Sequence, residues 1–345
     1  MNKSLIEQYV ALIINNLPKF NYKKGAFQRE KLSFKKEAFK IDATLSNEEQ
    51  LTELGKIIEK HIPDNHINII TKEGAKVNRD IPLYQNNIAY QPNEMLTAFK
   101  ISDKDGINGC FYLGTKKIAG KNVGVVSIPS FFHNGTQEQD DNQQKFIDAF
   151  FKMKKEQKWT DIIFDFRGNY GGDATIIKEI AERLSGKEVF YSNTTKVITP
   201  YPLYQEHKKA FAEKEHTIDM PSFTKKQQEG DAFNGEIYIL QDRCNASSAE
   251  GAIFMLSQLK NVTTIGENTF GAFQGGATVE LKMPYGSLLI GTEYRERFSK
   301  KGEPILEKEG IKPDIFVISE KAFETAVSRI TAIETQKRNL SNNEK

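Results

Sequence analysis

Two cysteines, Cys110 and Cys244, are all that 345 residues carry. They are too few for a disulfide framework and lack CxxC spacing, so two buried free thiols are the plain expectation. No run approaches the roughly 20 apolar residues of a membrane span. Charge of one sign is also missing. The chain has 48 basic and 46 acidic residues, a net +2, without the basic surplus of a dedicated nucleic-acid binder. No internal repeat is present. No cofactor is implied, and no metal site is expected. The segment from Met1 to Phe20 has only a broken apolar run, Tyr9 to Asn15. It lacks the longer apolar stretch and small-residue cleavage site of a signal peptide. As the sequence stands, the expected location is cytoplasmic; the alternative, for a chain whose leader has been removed, is periplasmic or secreted.

What is present is a core. Hydrophobic residues make up 38% and charged residues 27% of the chain, as in a soluble globular protein of one large or two ordinary domains. Leu5, Tyr9, Leu12, Ile13 and Leu17 recur at helical spacing over 4–17. Leu51, Leu54, Ile57 and Ile58 do so over 47–60, after Ser46 as N-cap. A helical N-terminal region over 1–62 follows. Pro63-Asp64-Asn65 breaks it, and 66–71 reads as a strand. Residues 73–110 are irregular. Short β-type runs stand at 110–113 and 123–128, and a helix covers 138–156. Strand 161–166, helix 172–185, strand 236–241, helix 247–260 and strand 262–265 then alternate. That order implies right-handed crossovers and a mostly parallel sheet, an α/β fold. Residues 278–294 read as an antiparallel hairpin. A polar insert over 192–234, with a helical piece near 204–215, is of the length that often forms a cap. The last helix is expected over 319–336, with 339–345 disordered. The domains read as 1–62, a core over 63–318, and 319–345.

Two stretches carry the chemistry. Asp165-Phe166-Arg167-Gly168-Asn169-Tyr170-Gly171-Gly172 ends one strand, and Cys244-Asn245-Ala246-Ser247-Ser248-Ala249-Glu250 follows another. Each lies where an apolar run stops and a helical pattern begins. Helix starts leave backbone N–H groups unpaired, which can hold an anion or the oxyanion of acyl transfer. Ser247 is a candidate nucleophile, and the N–H of Ser248 a donor to a developing charge. Taken alone, a serine at a helix start is ordinarily a cap, and a Gly-Gly pair a tight turn. The glycine stretch is not GxGxxG and no Lys-Ser/Thr pair follows it, so phosphate binding lacks its signature.

Together these stretches resemble the C-terminal processing and tricorn-core serine peptidases. The glycine stretch is similar to that family's strand–turn motif, whose glycine amide helps form the oxyanion hole; this brings in Gly171 and Gly172 with Ser248. The serine stretch is similar to its nucleophile motif, with Ser247 at the nucleophile position. Gly266-Glu267-Asn268-Thr269-Phe270-Gly271 and Glu307-Lys308-Glu309-Gly310-Ile311-Lys312-Pro313-Asp314 match later segments. The resemblance covers 64–317 and implies a crotonase-like α/β core. One branch of the family uses a lysine two residues after Phe-Gly as base, but Ala272 follows Phe270-Gly271 here. The tricorn-like branch uses histidine with glutamate support. Asp64-Asn65-His66 stands where that branch has Asp-x-His, with Asn65 where a serine can occur, and Glu307 stands at the glutamate position, Glu309 being its near competitor. A serine hydroxyl needs a positioned base, and histidine suits neutral pH. His133, His207 and His216 fit less well. The interval 72–122 is too short for a full PDZ domain.

The resemblance thus implies a serine peptidase acting near C-termini or on short or unfolded peptides, with Ser247, His66 and Glu307 as its catalytic residues. Its partner is a peptide or protein substrate; nucleic acid and membrane are not expected, and a homo-oligomer is left open. An inactive peptide-binding relative is the alternative, favoured by Ala272 and Asn65. A crotonase-type acyl-CoA enzyme is allowed by the fold alone.

Overall fold

The computed structural model describes residues 4–21, 27–62, 64–74, 77, 96–101, 109–133, 135–187, 189, 231–275, 278–291, 294–295, 297 and 303–343. Most of the 192–234 insert, including His207 and His216, lies outside the described residues. The chain divides into two compact units. One draws on Met1–Ile81, Asn193–Asp219 and Gly271–Glu309, the other on Pro82–Ser192, Met220–Phe270 and Gly310–Lys345.

The first unit opens with helices α1 Leu5–Asn16, α2 Pro18–Asn21, α3 Gln28–Ala38 and α4 Asn47–His61. Ser4 and Ser46 each close a capping box, with Glu7 and Glu49, at the starts of α1 and α4. These reciprocal bonds satisfy backbone donors that a helix start leaves open. The apolar faces of α1 and α4 meet in one core: Tyr9, Val10 and Ile13 with Leu51, Leu54 and Ile58. A small antiparallel sheet completes this core. Its strands are β1 Asn68–Thr71, β8 Thr278–Met283 and β9 Gly286–Gly291, in the order β1-β9-β8. Ile69 of β1 and Leu288 and Ile290 of β9 face the helices, so the expected hairpin gains β1 as a third strand. His66 precedes β1 rather than lying in it.

The second unit is a seven-stranded sheet. In chain order its strands are β2 Thr97–Lys100, β3 Cys110–Ile118, β4 Lys121–Ser127, β5 Asp161–Asp165, β6 Glu236–Gln241, β7 Val262–Gly266 and β10 Ile315–Phe316. They lie side by side in the order β10-β7-β6-β5-β4-β3-β2. β4, β5, β6, β7 and β10 pair in parallel; β2, β3 and β4 pair antiparallel. The crossover helices are α5 Gln137–Glu156, α6 Thr175–Ser185 and α7 Ser248–Leu256. Alternate residues of the central strands face opposite layers, as the twofold period of a strand requires. Ile162, Phe164, Ile237 and Ile239 pack with α5, α6 and α7. Ile163, Tyr238, Leu240 and Ile265 pack on Ala322, Ala326 and Ile330 of α8 Ala322–Asn343. Covered on both faces, β5 is buried at every position, which is why its centre, Ile162 to Phe164, is apolar without alternation.

Helix bounds change as well. α6 starts at Thr175 rather than 172, because Gly171, Gly172 and Asp173 form the turn and Asp173 Oδ1 accepts the Thr175 N–H at 2.9 Å. α8 continues to Asn343 instead of fraying from 339; that stretch has no glycine or proline to stop it.

Candidate active site

In the second unit, β5 and β6 are parallel neighbours, with Asp165 opposite Leu240. The turns after them therefore leave from the same end, the carboxyl end of the sheet, where open α/β folds place their ligands. Side chains stitch the two turns together. Arg167 forks onto Asp165, Nε to Oδ1 at 2.8 Å and Nη2 to Oδ2 at 2.7 Å, and Nη1 donates to the Ser319 carbonyl. Asn245 Nδ2 donates to the carbonyls of Phe166 and Asn169. Asp242 Oδ2 accepts the Gly168 N–H at 2.9 Å and Oδ1 the Cys244 N–H at 2.9 Å. Burial pushes the Asp242 carboxyl up to about 6, although these two N–H donors pull it the other way.

Ser247 stands in a capping box with Glu250 at the start of α7, but its backbone differs from that of the other caps. Ser4 and Ser46 cap their helices from extended backbone, φ −60°, ψ 162° and φ −58°, ψ 158°. Ser247 has φ 54° and ψ −119°, a region that side-chain-bearing residues rarely adopt and that tends to occur at functional sites. The same sharp strand-to-helix turn exposes nucleophiles in other hydrolases. The buried Glu250 carboxylate holds the turn, accepting the Ser247 N–H at 3.0 Å and the Thr269 hydroxyl. Gly171, at φ 107°, lies against it; a methyl there would stand 2.7 Å from the Ala246 carbonyl and 3.1 Å from Ser247 Cβ.

The three expected oxyanion donors are not equivalent. The Gly171 N–H is donated to Asn169 Oδ1 at 2.8 Å, and so is spent inside the turn. Among the described residues, no acceptor takes the N–H of Gly172 or of Ser248.

The first unit holds His66, Asp64 and Glu307. The Asp64 carboxylate accepts the His66 backbone N–H at 2.9 Å, and its Oδ1 lies 3.7 Å from Nδ1 of the ring. Glu307 Oε1 lies 3.9 Å from the same Nδ1. Glu307 is fixed by two backbone donors, Asn65 N–H to Oε1 and Gln274 N–H to Oε2, both 2.9 Å. Glu309, its near competitor in sequence, is exposed. Asn65 turns its amide to the Gly271 carbonyl at 2.8 Å. Gly275 lies flat against the ring, where a methyl would fall 2.1 Å from Nδ1; only glycine admits the imidazole there.

The two carboxyls are driven apart. Burial works against the Asp64 charge, but the His66 ring, the Lys19 ammonium and the His66 N–H outweigh it and hold its carboxyl below the ordinary range. Burial and the charge of Asp64 push Glu307 up, against His66, Lys19 and the Asn65 N–H. The same surroundings thus favour ionisation more at Asp64 than at Glu307. Sequence reasoning saw Asp64 only as part of a motif, and it missed Gln274, Gly275 and Lys19. The Gly275 contact could have been suspected from a further glycine so soon after Phe270-Gly271. Asp64, His66 and Glu307 bring donor atoms within 4.8 Å of one another, a spacing that a cation could use. The buried Lys19 ammonium already supplies positive charge to both carboxylates, which disfavours a second cation.

Comparison with known proteins fixes the class. The profile of peptidase family S41 matches residues 122–317, more than half of the chain. The chain belongs to peptidase family S41. It is accordingly a serine-type peptidase, and peptide or protein is its substrate class. Among solved structures, a candidate peptidase from Parabacteroides merdae is similar at TM-score 0.61 and 16% identity, covering 95% of this chain and 96% of that one. Mature CPAF is similar at TM-score 0.58 and 10% identity, covering 98% and 97%. Mature CPAF complexed with lactacystin gives TM-score 0.58 and 10% identity, covering 98% of each chain. At such identities the likeness speaks for the fold alone, a mixed α/β fold with a mostly parallel sheet. No curated protein matches the chain in sequence. Among the described residues, no helix is long and apolar enough to cross a membrane.

Proposed function

We propose that this S41 peptidase cleaves peptide bonds through an acyl-enzyme on Ser247. His66 takes the proton from the Ser247 hydroxyl as Oγ attacks the scissile carbonyl. The Gly172 and Ser248 N–H groups receive the oxyanion, and the imidazolium returns its proton to the leaving amine. Water then repeats the sequence on the ester, releasing the acid and restoring serine. Glu307 and Asp64 orient the ring and offset the charge it gains. Bonds near C-termini, or in short or unfolded peptides, are the targets this reading favours, on the resemblance to processing peptidases.

The observation that carries the reading is the backbone of Ser247, φ 54° and ψ −119° at a strand-to-helix turn. A cap needs no such conformation, as Ser4 and Ser46 demonstrate. The test is intact mass after treatment with a fluorophosphonate. One adduct is expected on wild type and none on Ser247→Ala. Labelling of folded His66→Ala should be slower by several orders of magnitude, as loss of a triad base is elsewhere. Equal labelling of wild type and Ser247→Ala would overturn the nucleophile; unimpaired labelling of His66→Ala would overturn the base.

A further inference from the structure

Lys19 is an unusual lysine. It stands in the four-residue helix α2, and only 3% of it is exposed. Lysines are almost never buried without specific partners, because desolvating an ammonium is costly. Its Nζ sits 5.2 Å from the centroid of the Phe27 ring and 5.1 Å from that of Tyr294, within the range of cation–π attraction. It donates to Gln274 Oε1 at 3.1 Å. Gln274 in turn donates its backbone N–H to Glu307 Oε2 at 2.9 Å, and its side-chain Nε2 to the Ile305 carbonyl at 3.1 Å. One residue therefore links the ammonium to the carboxylate that lies 3.9 Å from His66 Nδ1.

Charged groups meet around this link, and Arg297, itself buried, donates Nε to the carbonyl of Phe273 beside Gln274. Asp64, from its own loop, and Glu307 face His66. Gly275, packed on the ring, brings no charge. Glu307, Asp64 and Glu30 of α3 act on Lys19; burial pushes its ammonium down from the ordinary lysine value, and these three carboxylates pull it back. Two buried carboxylates beside one imidazole would favour the imidazolium, and an imidazolium cannot serve as a base. A positive charge nearby opposes that shift.

We propose that Lys19 is the internal counter-ion of the Asp64–His66–Glu307 cluster, a positioning residue from the N-terminal helical segment that keeps the His66 ring neutral and ready to accept a proton. The proposal rests on the reading of His66 as the base, but its central measurement does not. Removing a nearby positive charge makes a neighbouring imidazole easier to protonate. The pKa of His66, followed by its ring proton resonances and assigned with His66→Gln, should rise in Lys19→Met by about half a unit or more. The acid limb of the kcat/KM profile should move up by the same amount. That means roughly threefold less activity below the limb, recovering at high pH. Lys19→Arg should keep the wild-type limb.

An unchanged His66 pKa in folded Lys19→Met would overturn the proposal and leave Lys19 as a plug between Phe27 and Tyr294. Failure of both Lys19→Met and Lys19→Gln to fold would also overturn it, by assigning the lysine to the core. A raised His66 pKa without any movement of the rate profile would leave the counter-ion standing and count against His66 as the base.

Discussion

Asp64 accepts the His66 backbone N–H at 2.9 Å, and the same Oδ1 lies 3.7 Å from ring Nδ1. Family resemblance points to Glu307 as the supporting carboxylate, and Glu307 is indeed 3.9 Å from the same nitrogen. The two differ in charge rather than in distance. The His66 ring and Lys19 hold the Asp64 carboxyl below the ordinary range, whereas burial and the Asp64 charge push that of Glu307 up. On the reading of His66 as the base, Asp64 is therefore the better placed of the two to offset the charge that the ring gains.

The first prediction follows. Asp64→Asn should lower kcat/KM by about 100-fold or more, within the range known for neutralising a triad carboxylate. Glu307→Gln should cost less, about 10-fold, through looser placement of the ring. Steady-state turnover of a peptide that Ser247→Ala cannot cleave would decide, with thermal melts to establish that each variant folds. The opposite order would return the main role to Glu307.

Local features of this site were legible in the sequence; distant ones were not. Each of β5 and β6 runs into its turn and helix within a dozen residues, so apolar runs, glycines and a serine were enough to find both turns. The Asp-x-His spacing likewise put Asp64 and His66 together. Lys19 meets Gln274 across 255 residues, and nothing in Leu17-Pro18-Lys19-Phe20 says where that ammonium points. β1 joins the 278–291 hairpin for a similar reason: strand pairing depends on tertiary packing, which periodicity does not encode. The backbone of Ser247 was also out of reach, since a positive φ leaves a sequence trace only when glycine supplies it.

A second prediction concerns Asp242, which ties the two turns of the second unit. Its carboxyl is pushed up to about 6, mainly by burial, against about 3.9 for an ordinary aspartate. The folded state therefore binds this proton more tightly than the unfolded state does. Stability from this group is greatest below about pH 4, falls as pH rises towards 6 and is then level, a change on the order of 2–3 kcal/mol. Asp242→Asn removes the titration. Urea unfolding of wild type and variant at intervals between pH 4 and 7 should give a stability difference that shifts towards the variant as pH rises. A difference independent of pH would show that the carboxyl titrates alike in both states.

The last prediction sets activity against stability at Ser247. Holding a residue with a Cβ at φ 54° and ψ −119° costs on the order of 1–3 kcal/mol. Glycine can adopt this conformation without that penalty, though it gives up roughly 0.5–1 kcal/mol of backbone entropy on folding. Ser247→Ala deletes the hydroxyl and keeps the Cβ; Ser247→Gly deletes both. Neither should react with a fluorophosphonate. Their stabilities should differ, with Ser247→Gly about 1 kcal/mol above Ser247→Ala, seen as a rise of roughly 1–3 °C in Tm. Wild type should melt close to Ser247→Ala, because both keep the strained Cβ. The comparison isolates the backbone, since the two inactive variants lack the same hydroxyl and differ by one methyl beside Gly171. If Ser247→Gly melts no higher than Ser247→Ala, the turn is relaxed, and the case for a strained nucleophile loses the observation on which it stands.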